Sequence, residues 1–310
     1  MRLIKTEDAV GHVLCHDMTQ IIKDQYKDAR FRKGHVVTEE DIPVLLSMGK
    51  EHLYVWEMTS GMVHENDAAE RLLALCGQEN MIRSGVKEGK IELKAACDGV
   101  FLVDSARLVA VNSQDEVMIA TRKGGMAVRE GDKLAGMRVI PLIIEEEKLR
   151  KAEQAAGDKP LLSLKPYVRK TACIVATGGE IKKGLIKDTF TPVVIDKLKT
   201  YGIETLEVVY SGDGVENVRD AVLTMREKKP DMILCTGGMS VDPDDNTPGG
   251  IKAAGANIIA YGAPVLPGAM FLLGYFDDGM PVMGLPGCVM YAGATVFDLV
   301  LPKIAADVPV

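Results

Sequence analysis

The run Asp231-Met-Ile-Leu-Cys235 passes without interruption into Thr236-Gly-Gly-Met-Ser-Val-Asp-Pro-Asp-Asp-Asn-Thr-Pro-Gly-Gly250. A short apolar run that ends in a glycine-rich loop reads as a buried strand, because a strand covered on both faces needs no polar alternation. The same pattern stands earlier, where Ala172-Cys-Ile-Val-Ala176 leads into Thr177-Gly-Gly-Glu180. Between the two lie a helical stretch from about Thr191 to Tyr201 ended at Gly202, a strand Thr205-Leu-Glu-Val-Val-Tyr210, and a helix Glu216 to Glu227 ended before Pro230. Strand, loop, helix, strand, helix, strand is the order of a parallel sheet with covering helices, so the second half of the chain is predicted to be α/β. Such sheets bind ligands outside the carboxyl ends of their strands, which is where both glycine-rich loops fall.

Working outward, the charged stretch from Glu145 to Ala156 is broken at Gly157 and Pro160, and reads as a solvated helix leading into a linker. The expected domains are therefore 1–165 and 166–310. The first reads as a smaller α+β region with two short helices, Glu39 to Met48 and Asp67 to Leu75. After Met81 come short apolar runs: Gly99 to Val103, Leu108 to Val111, Val117 to Ala120 and Val139 to Ile143. Their regular spacing predicts a barrel-like or sandwich subdomain.

Composition narrows the function classes. The 310 residues carry 37 Lys and Arg against 44 Asp and Glu, a net charge of −7, which disfavours binding along a nucleic-acid backbone. The most apolar window, Ala254 to Leu273, is interrupted by three glycines and two prolines, so no membrane span is expected. None of the six cysteines stands in C-x-x-C spacing, and with no signal sequence evident a reducing cytoplasm is the expected location.

The loop after Ala176 combines Gly178 and Gly179, which let backbone N–H groups approach an anion, with Lys182, Lys183 and Lys187. The loop after Cys235 adds two more glycines, the hydroxyls of Ser240 and Thr247, and the carboxylates of Asp242, Asp244 and Asp245. Carboxylates beside a phosphate site suit Mg²⁺, which takes one or two of them plus ligand oxygens and water. The plainer alternative is an acidic surface turn with Asx-type capping. Further on, Gly284-Leu-Pro-Gly-Cys288 is expected to open a long apolar helix running to about Leu301.

These motifs, in this order, resemble the molybdopterin-binding domain of molybdenum-cofactor biosynthesis proteins. Thr177-Gly-Gly-Glu180 resembles the family's T-G-D-E loop, with Gly179 in place of Asp. Gly184-x-x-x-Asp188-Thr189 resembles G-x-x-x-D-[ST/N], Thr236-Gly-Gly-Met-Ser240 resembles [ST]-G-G-x-[SG], and Gly284-Leu-Pro-Gly287 resembles the L-P-G-N-P loop of molybdotransferases, with Cys288 in place of Asn. The resemblance implies a three-layer α/β/α domain with a mostly parallel sheet that holds a phosphorylated pterin dithiolene. It assigns ligand contacts to Thr177, Gly178, Gly179, Glu180, Asp188, Thr189, Thr236, Gly237, Gly238, Ser240, Thr247, Pro286 and Gly287. Asp245-Asn-Thr-Pro248 resembles the D-x-T-P of adenylyltransferases, which makes Asp245 the implied Mg²⁺ ligand and, with Asp244, the implied catalytic pair. The implied partners are the pterin, ATP for adenylyl transfer, a second copy of the chain, and a molybdoenzyme downstream.

Three readings stay open on these residues. The first is an enzyme of cofactor maturation, transferring an adenylyl group to molybdopterin or inserting molybdate. The second is a pyrophosphatase, because Asp244-Asp245-x-Thr247 also resembles the D-D-x-T of the competence-damage-inducible family. The third is a carrier without chemistry, favoured because the chain lacks the P-P-x-x-x-S-x-x-D-G-[YF]-A segment of molybdotransferases. The N-terminal half weakly resembles the non-catalytic domains of those enzymes through Ala9-Val-Gly-His-Val-Leu-Cys-His-Asp17. Within it, His12, Cys15 and His16 would share one face of a helix and suit a metal, whereas a strand would split them.

Overall fold

The computed structural model describes residues 2–22, 26–56, 61–240 and 246–310. The chain folds into two compact units. One comprises Met1–Ala96, Val103–Gly124 and Gly131–Ser163, the other Cys97–Leu102, Gly125–Glu130 and Leu164–Val310. Two short pieces from within the first half of the sequence thus belong to the C-terminal unit.

The first unit begins with β1 (Arg2–Lys5), β2 (Val13–Leu14), β3 (Met18–Ile22), β4 (Tyr26–Phe31), α1 (Asp41–Ser47) and β5 (His52–Trp56). β1, β5 and β2 form an antiparallel sheet, β3 and β4 a hairpin. Ala9, Leu14, Met18, Phe31, Val37, Leu45, Leu53 and Val55 fill the core beneath them. The chain continues through β6 (Met62–His64), α2 (Glu65–Ala74), β7 (Met81–Arg83) and β8 (Ile91–Ala95). α2 starts two residues before the expected position because the His64 ring accepts a hydrogen bond from Asn66 N, and histidine is an uncommon N-cap.

Next come β9 (Gly99–Val103), α3 (Ser105–Asn112), β10 (Val117–Thr121), β11 (Met126–Val128), β12 (Lys133–Val139), β13 (Ile143–Glu145), α4 (Glu146–Ala156) and β14 (Leu162–Pro166). The run Leu108 to Val111, read as a strand, is helical. Asp104 caps it by accepting from Arg107 N at 3.0 Å, and Leu108 and Val111 are buried while Val109 is 64% exposed, which is the three-residue period of a helix face. The run Val139 to Ile143 is two strand ends, interrupted where Pro141 can donate no ladder hydrogen bond.

The β-rich region expected after Met81 as a barrel-like or sandwich subdomain is present, and its strands are divided between two sheets. β10, β12, β8 and β7 form one antiparallel sheet in the first unit, whereas β9 pairs with β11 in a sheet ordered β11-β9-β14. Gly99 is required there, since a Cβ would lie 2.2 Å from Lys165 O. α4 is solvated on one face only. Leu149, Ala152 and Ala156 are buried, and Arg71 on α2 reaches Glu146 and Glu153 at 2.7–2.9 Å.

The C-terminal unit continues with β15 (Thr171–Thr177), α5 (Gly179–Lys182), α6 (Phe190–Lys199), β16 (Glu204–Ser211), α7 (Val215–Glu227) and β17 (Met232–Thr236). It closes with α8 (Thr247–Ala253), β18 (Asn257–Tyr261), β19 (Leu272–Tyr275), β20 (Pro281–Leu285) and α9 (Val296–Ala305). The six-stranded sheet has the order β16-β15-β17-β20-β19-β18, with the first four strands parallel and β19 antiparallel to both its neighbours, β20 and β18. Alternate residues of β15 face opposite layers. Ala172 and Ile174 pack with Val194, Leu198, Phe297 and Leu301, and Cys173 and Val175 pack with Val218, Val222 and Ile251. This is the three-layer α/β/α domain the sequence implied, and each fully buried aliphatic side chain contributes about 1.5–3 kcal/mol.

The helix expected after Leu285 is two pieces. A 3-10 turn covers Gly287–Met290, and α9 begins only at Val296, set by a capping box between Thr295 and Asp298. Among the described residues, no helix is long and apolar enough to cross a membrane.

Candidate functional site

β15, β17 and β20 are neighbours and run parallel, so the loops at their carboxyl ends emerge side by side. Each ends in a residue with little freedom. Thr177 is 5% and Thr236 2% exposed, and Leu285 is fully buried before the buried Pro286. A network of hydroxyls joins the first two loops. Thr177 Oγ1 donates to Thr236 O at 2.8 Å and lies 3.1 Å from Thr247 Oγ1, which donates to Gly237 O at 2.9 Å. Thr247 N donates to Gly238 O at 3.2 Å. The network closes the second loop onto the end of β15 from the first turn of α8.

Gly237 and Gly238 both have positive φ, at +82° and +59°. A Cβ on Gly237 would lie 2.5 Å from Thr177 O, and one on Gly238 would lie 2.5 Å from Thr247 Oγ1. No other residue type fits either position without displacing the network. Gly287, by contrast, is exposed and has no atom within 4 Å of where its Cβ would stand, so its backbone is open to approach.

The first loop is organised by a residue the sequence reading missed. Gly178 N donates to Ser211 O at 3.2 Å, and Gly179 N donates to Asp213 Oδ2 at 3.0 Å. A Cβ on Gly179 would lie 2.7 Å from that same oxygen. A carboxylate is thus present beside Gly179, delivered by the loop between β16 and α7. The only signal for it in the sequence is the Gly-Asp-Gly turn at 212–214, which gives no hint of where it folds back.

Asp188 caps α6. Its Oδ1 accepts from Phe190 N at 2.9 Å and Thr191 N at 3.0 Å. Thr191 Oγ1 is shielded from solvent and has no hydrogen-bond partner among the described residues, and the equally shielded Oδ2 of Asp188 has only the Tyr210 phenol beside its carboxylate. Buried polar atoms without partners are rare and mark either strain or a missing ligand. Partial burial and the neighbouring Asp188 carboxylate push the Tyr210 phenol above its ordinary range. Thr189 Oγ1 donates to Met290 Sδ at 3.2 Å, which ties the first loop to the turn that follows Pro286. Glu180 and Ser240 are exposed, as are Lys182, Lys183 and Lys187.

The geometry therefore joins Thr177, Thr236, Gly237, Gly238 and Thr247 in one network, places Gly178 and Gly179 beside Asp213, and links Thr189 to the turn after Gly287. Asp242, Asp244 and Asp245 lie outside the described residues, so the expected catalytic and metal positions are not placed. Among the described residues no three His, Cys, Asp or Glu side chains converge as metal ligands. His12, Cys15 and His16 share no helix: Val13–Leu14 is a strand and its neighbours are turns and bends. A glycine-lined edge beside parallel strand ends, with Lys182, Lys183 and Lys187 exposed next to it, can bind a phosphorylated ligand through backbone groups.

Residues 173–306 match the family model described as a probable molybdopterin binding domain, and residues 3–57 match a domain of unknown function (DUF8806). A CinA-like protein of Petrotoga mobilis is 32% identical over 76 residues, which is 24% of this chain and 19% of that protein. A CinA-like protein of Mycobacterium tuberculosis is 32% identical over 76 residues, 24% of this chain and 18% of that one. The matches thus span less than a fifth of the length of these relatives. Among solved structures, the Mog protein of Mycobacterium ulcerans aligns with a TM-score of 0.38 at 22% identity, covering 44% of this chain and 97% of that one. The CinA protein of Thermoplasma acidophilum aligns with a TM-score of 0.38 at 18% identity, covering 44% and 98%.

Proposed function

We propose that this chain, whose residues 173–306 belong to the molybdopterin-binding domain family, binds molybdopterin at the carboxyl edge of its parallel sheet and acts in maturation of the molybdenum cofactor. The observation that supports the reading most is the hydroxyl network of Thr177 and Thr247, which holds two glycine turns together next to the Pro286-Gly287 turn. Backbone at Gly237, Gly238 and Gly287 would face the pterin phosphate, Gly178 and Gly179 would shape the neighbouring turn with their N–H groups held by Ser211 O and Asp213, and Lys182, Lys183 and Lys187 would draw the anion in. The shielded Oδ2 of Asp188 would accept from an N–H of the ligand, and Ser240 would contact it from the second loop.

Asp245, with Asp244, would hold Mg²⁺, which would stabilise charge on a transferred adenylyl or phosphoryl group. The experiment is calorimetric titration of the chain with anaerobic molybdopterin, alone and with Mg²⁺-ATP, followed by analysis for adenylylated pterin. Binding with a new adenylylated species is expected. Binding without conversion would leave molybdate insertion or a carrier, and absence of binding would overturn the reading.

The sequence match to CinA-like proteins supports a second reading, hydrolysis of a pyrophosphate such as that of ADP-ribose by the same loops. Release of AMP from ADP-ribose, lost on Asp244→Asn and Asp245→Asn, would establish it.

A further inference from the structure

The first unit contains a cavity of about 490 Å³, a size suited to a small organic molecule rather than a bare ion. Its charged lining consists of three cations, Arg32, Lys33 and Arg138, and three carboxylates, Asp17, Glu65 and Glu88. Two of the carboxylates are occupied. Asp17 Oδ1 accepts from Lys33 N at 2.7 Å, and Glu88 stands 3.8 Å from Arg32 at the exposed mouth.

Glu65 is different. It is 4% exposed, the first residue of α2 after the His64 cap, and its backbone N is spent on Leu142 O at 2.8 Å. Its carboxylate sits against Gly34 and Gly89, where a Cβ would come within 3.0 and 2.6 Å of its oxygens. Both glycines have positive φ, so the backbone itself makes room for the carboxylate. Among the described residues no donor reaches those oxygens within hydrogen-bond distance. Burial pushes the Glu65 carboxyl above its ordinary range in spite of His64 and Arg138 nearby, as expected for a carboxylate short of partners.

The complementary deficit lies in the same cavity. Arg138 spends its Nε on Val139 O at 3.1 Å, and neither its guanidinium nor the Lys33 ammonium has a carboxylate within ion-pair distance among the described residues. Trp56 Nε1 is shielded from solvent and donates to nothing among them. The unmatched groups therefore carry both signs. An anion alone would leave Glu65 buried and unpaired, and a cation alone would leave the half-buried Arg138 and the shielded Trp56 N–H unmatched, with the exposed Lys33 adding positive charge at the mouth.

We propose that this cavity binds a small zwitterion, an α-amino acid with an apolar side chain, with its ammonium on Glu65 and its carboxylate on Arg138, Lys33 and the Trp56 indole N–H. The equal number of cations and carboxylates in the lining fits a ligand of zero net charge, and the wall at Pro141 and Leu142 accepts the apolar side chain.

The test is titration calorimetry of the full chain with L-leucine, L-isoleucine, L-valine, L-methionine, L-phenylalanine and L-tryptophan, each supported by a thermal shift. At least one is expected to bind with a Kd below about 1 mM. For leucine, 4-methylpentanoate (no amine) and 3-methylbutylamine (no carboxylate) should each bind at least about tenfold more weakly, a loss of about 1.4 kcal/mol. Glu65→Gln and Arg138→Met should weaken the bound amino acid at least about tenfold. Glu65→Gln removes an unpartnered buried charge, so its unfolding midpoint should not fall, and Arg138→Met decides the matter if it does. Failure of all six amino acids to bind, equal binding of the amine-free acid, or full binding by both variants would overturn the proposal.

Discussion

Thr177 Oγ1 and Thr247 Oγ1 lie 3.1 Å apart although seventy residues separate them in the chain. Their contact is the fastener between the end of β15 and the loop that follows β17. Thr177→Val keeps the shape but removes a donor to Thr236 O and a partner of Thr247. The expected loss is about 1–3 kcal/mol in urea unfolding, because a buried acceptor is left unsatisfied. Pterin affinity should fall along with it, and Thr177→Ser should restore most of both.

Gly238→Ala should destabilise more than Gly279→Ala. Both positions have positive φ, +59° and +80°, so both substitutions carry the cost of a left-handed alanine, about 1 kcal/mol. Only at Gly238 does the new Cβ also meet an atom, Thr247 Oγ1 at 2.5 Å, whereas at Gly279 nothing lies within 4 Å. Chemical denaturation of the pair measures the difference. Equal losses would show that the Thr247 hydroxyl moves aside without cost.

Asp188→Asn separates capping from ligand contact. The amide oxygen can still accept from Phe190 N and Thr191 N, so α6 and the unfolding midpoint should hardly change. The shielded second oxygen becomes a donor, which would repel a pterin N–H. Molybdopterin affinity is expected to fall at least about tenfold, or 1.4 kcal/mol. Unchanged affinity in calorimetry would remove Asp188 from the site.

Asp231 makes stability depend on acid. Burial raises its carboxyl, but hydrogen bonds from Lys170 N at 2.7 Å, Thr171 N at 2.9 Å and Thr171 Oγ1 at 3.0 Å, with the charge of Arg169, overrule burial and hold it below the ordinary range. A carboxyl with a depressed folded-state pKa stabilises the protein above its unfolded value, about 3.9, and that contribution is lost as pH falls through the folded value. Urea midpoints should therefore decline below about pH 4, and Asp231→Asn should be less stable at neutral pH with a flatter decline.

Asp245→Asn should abolish turnover while leaving the stability within about 0.5 kcal/mol of the parent. Product analysis with Mg²⁺-ATP and, separately, with ADP-ribose reads the result. Retained turnover in both would remove Asp245 from the chemistry.

The order of elements in the C-terminal unit was legible because its strands are covered on both faces. Ala172 to Ala176 and Met232 to Cys235 have no polar residue to place on a wet side, so composition alone identifies them, and parallel order then puts both glycine-rich loops at one edge. Short runs in the first half lacked that clarity. Leu108 to Val111 is four apolar residues, too few to distinguish a two-residue from a three-residue period, and the Asp104 cap settled it.

The sequence by itself determined three of the six strands of the α/β sheet, β15, β16 and β17, where the glycine turns stand, and which residue types line them, since these depend on local periodicity and on backbone freedom, whereas β18, β19 and β20 were not legible in it. Only the tertiary structure decided which distant segments meet. It carried Gly99 to Val103 away from its neighbours in sequence to pair with Met126 to Val128, brought Asp213 to the backbone of Gly179, and fastened Thr177 to Thr247. It also enclosed Glu65 between Gly34 and Gly89. Such contacts form between groups far apart along the chain, and their energy comes from burial and hydrogen bonding in the assembled unit, which no local pattern records.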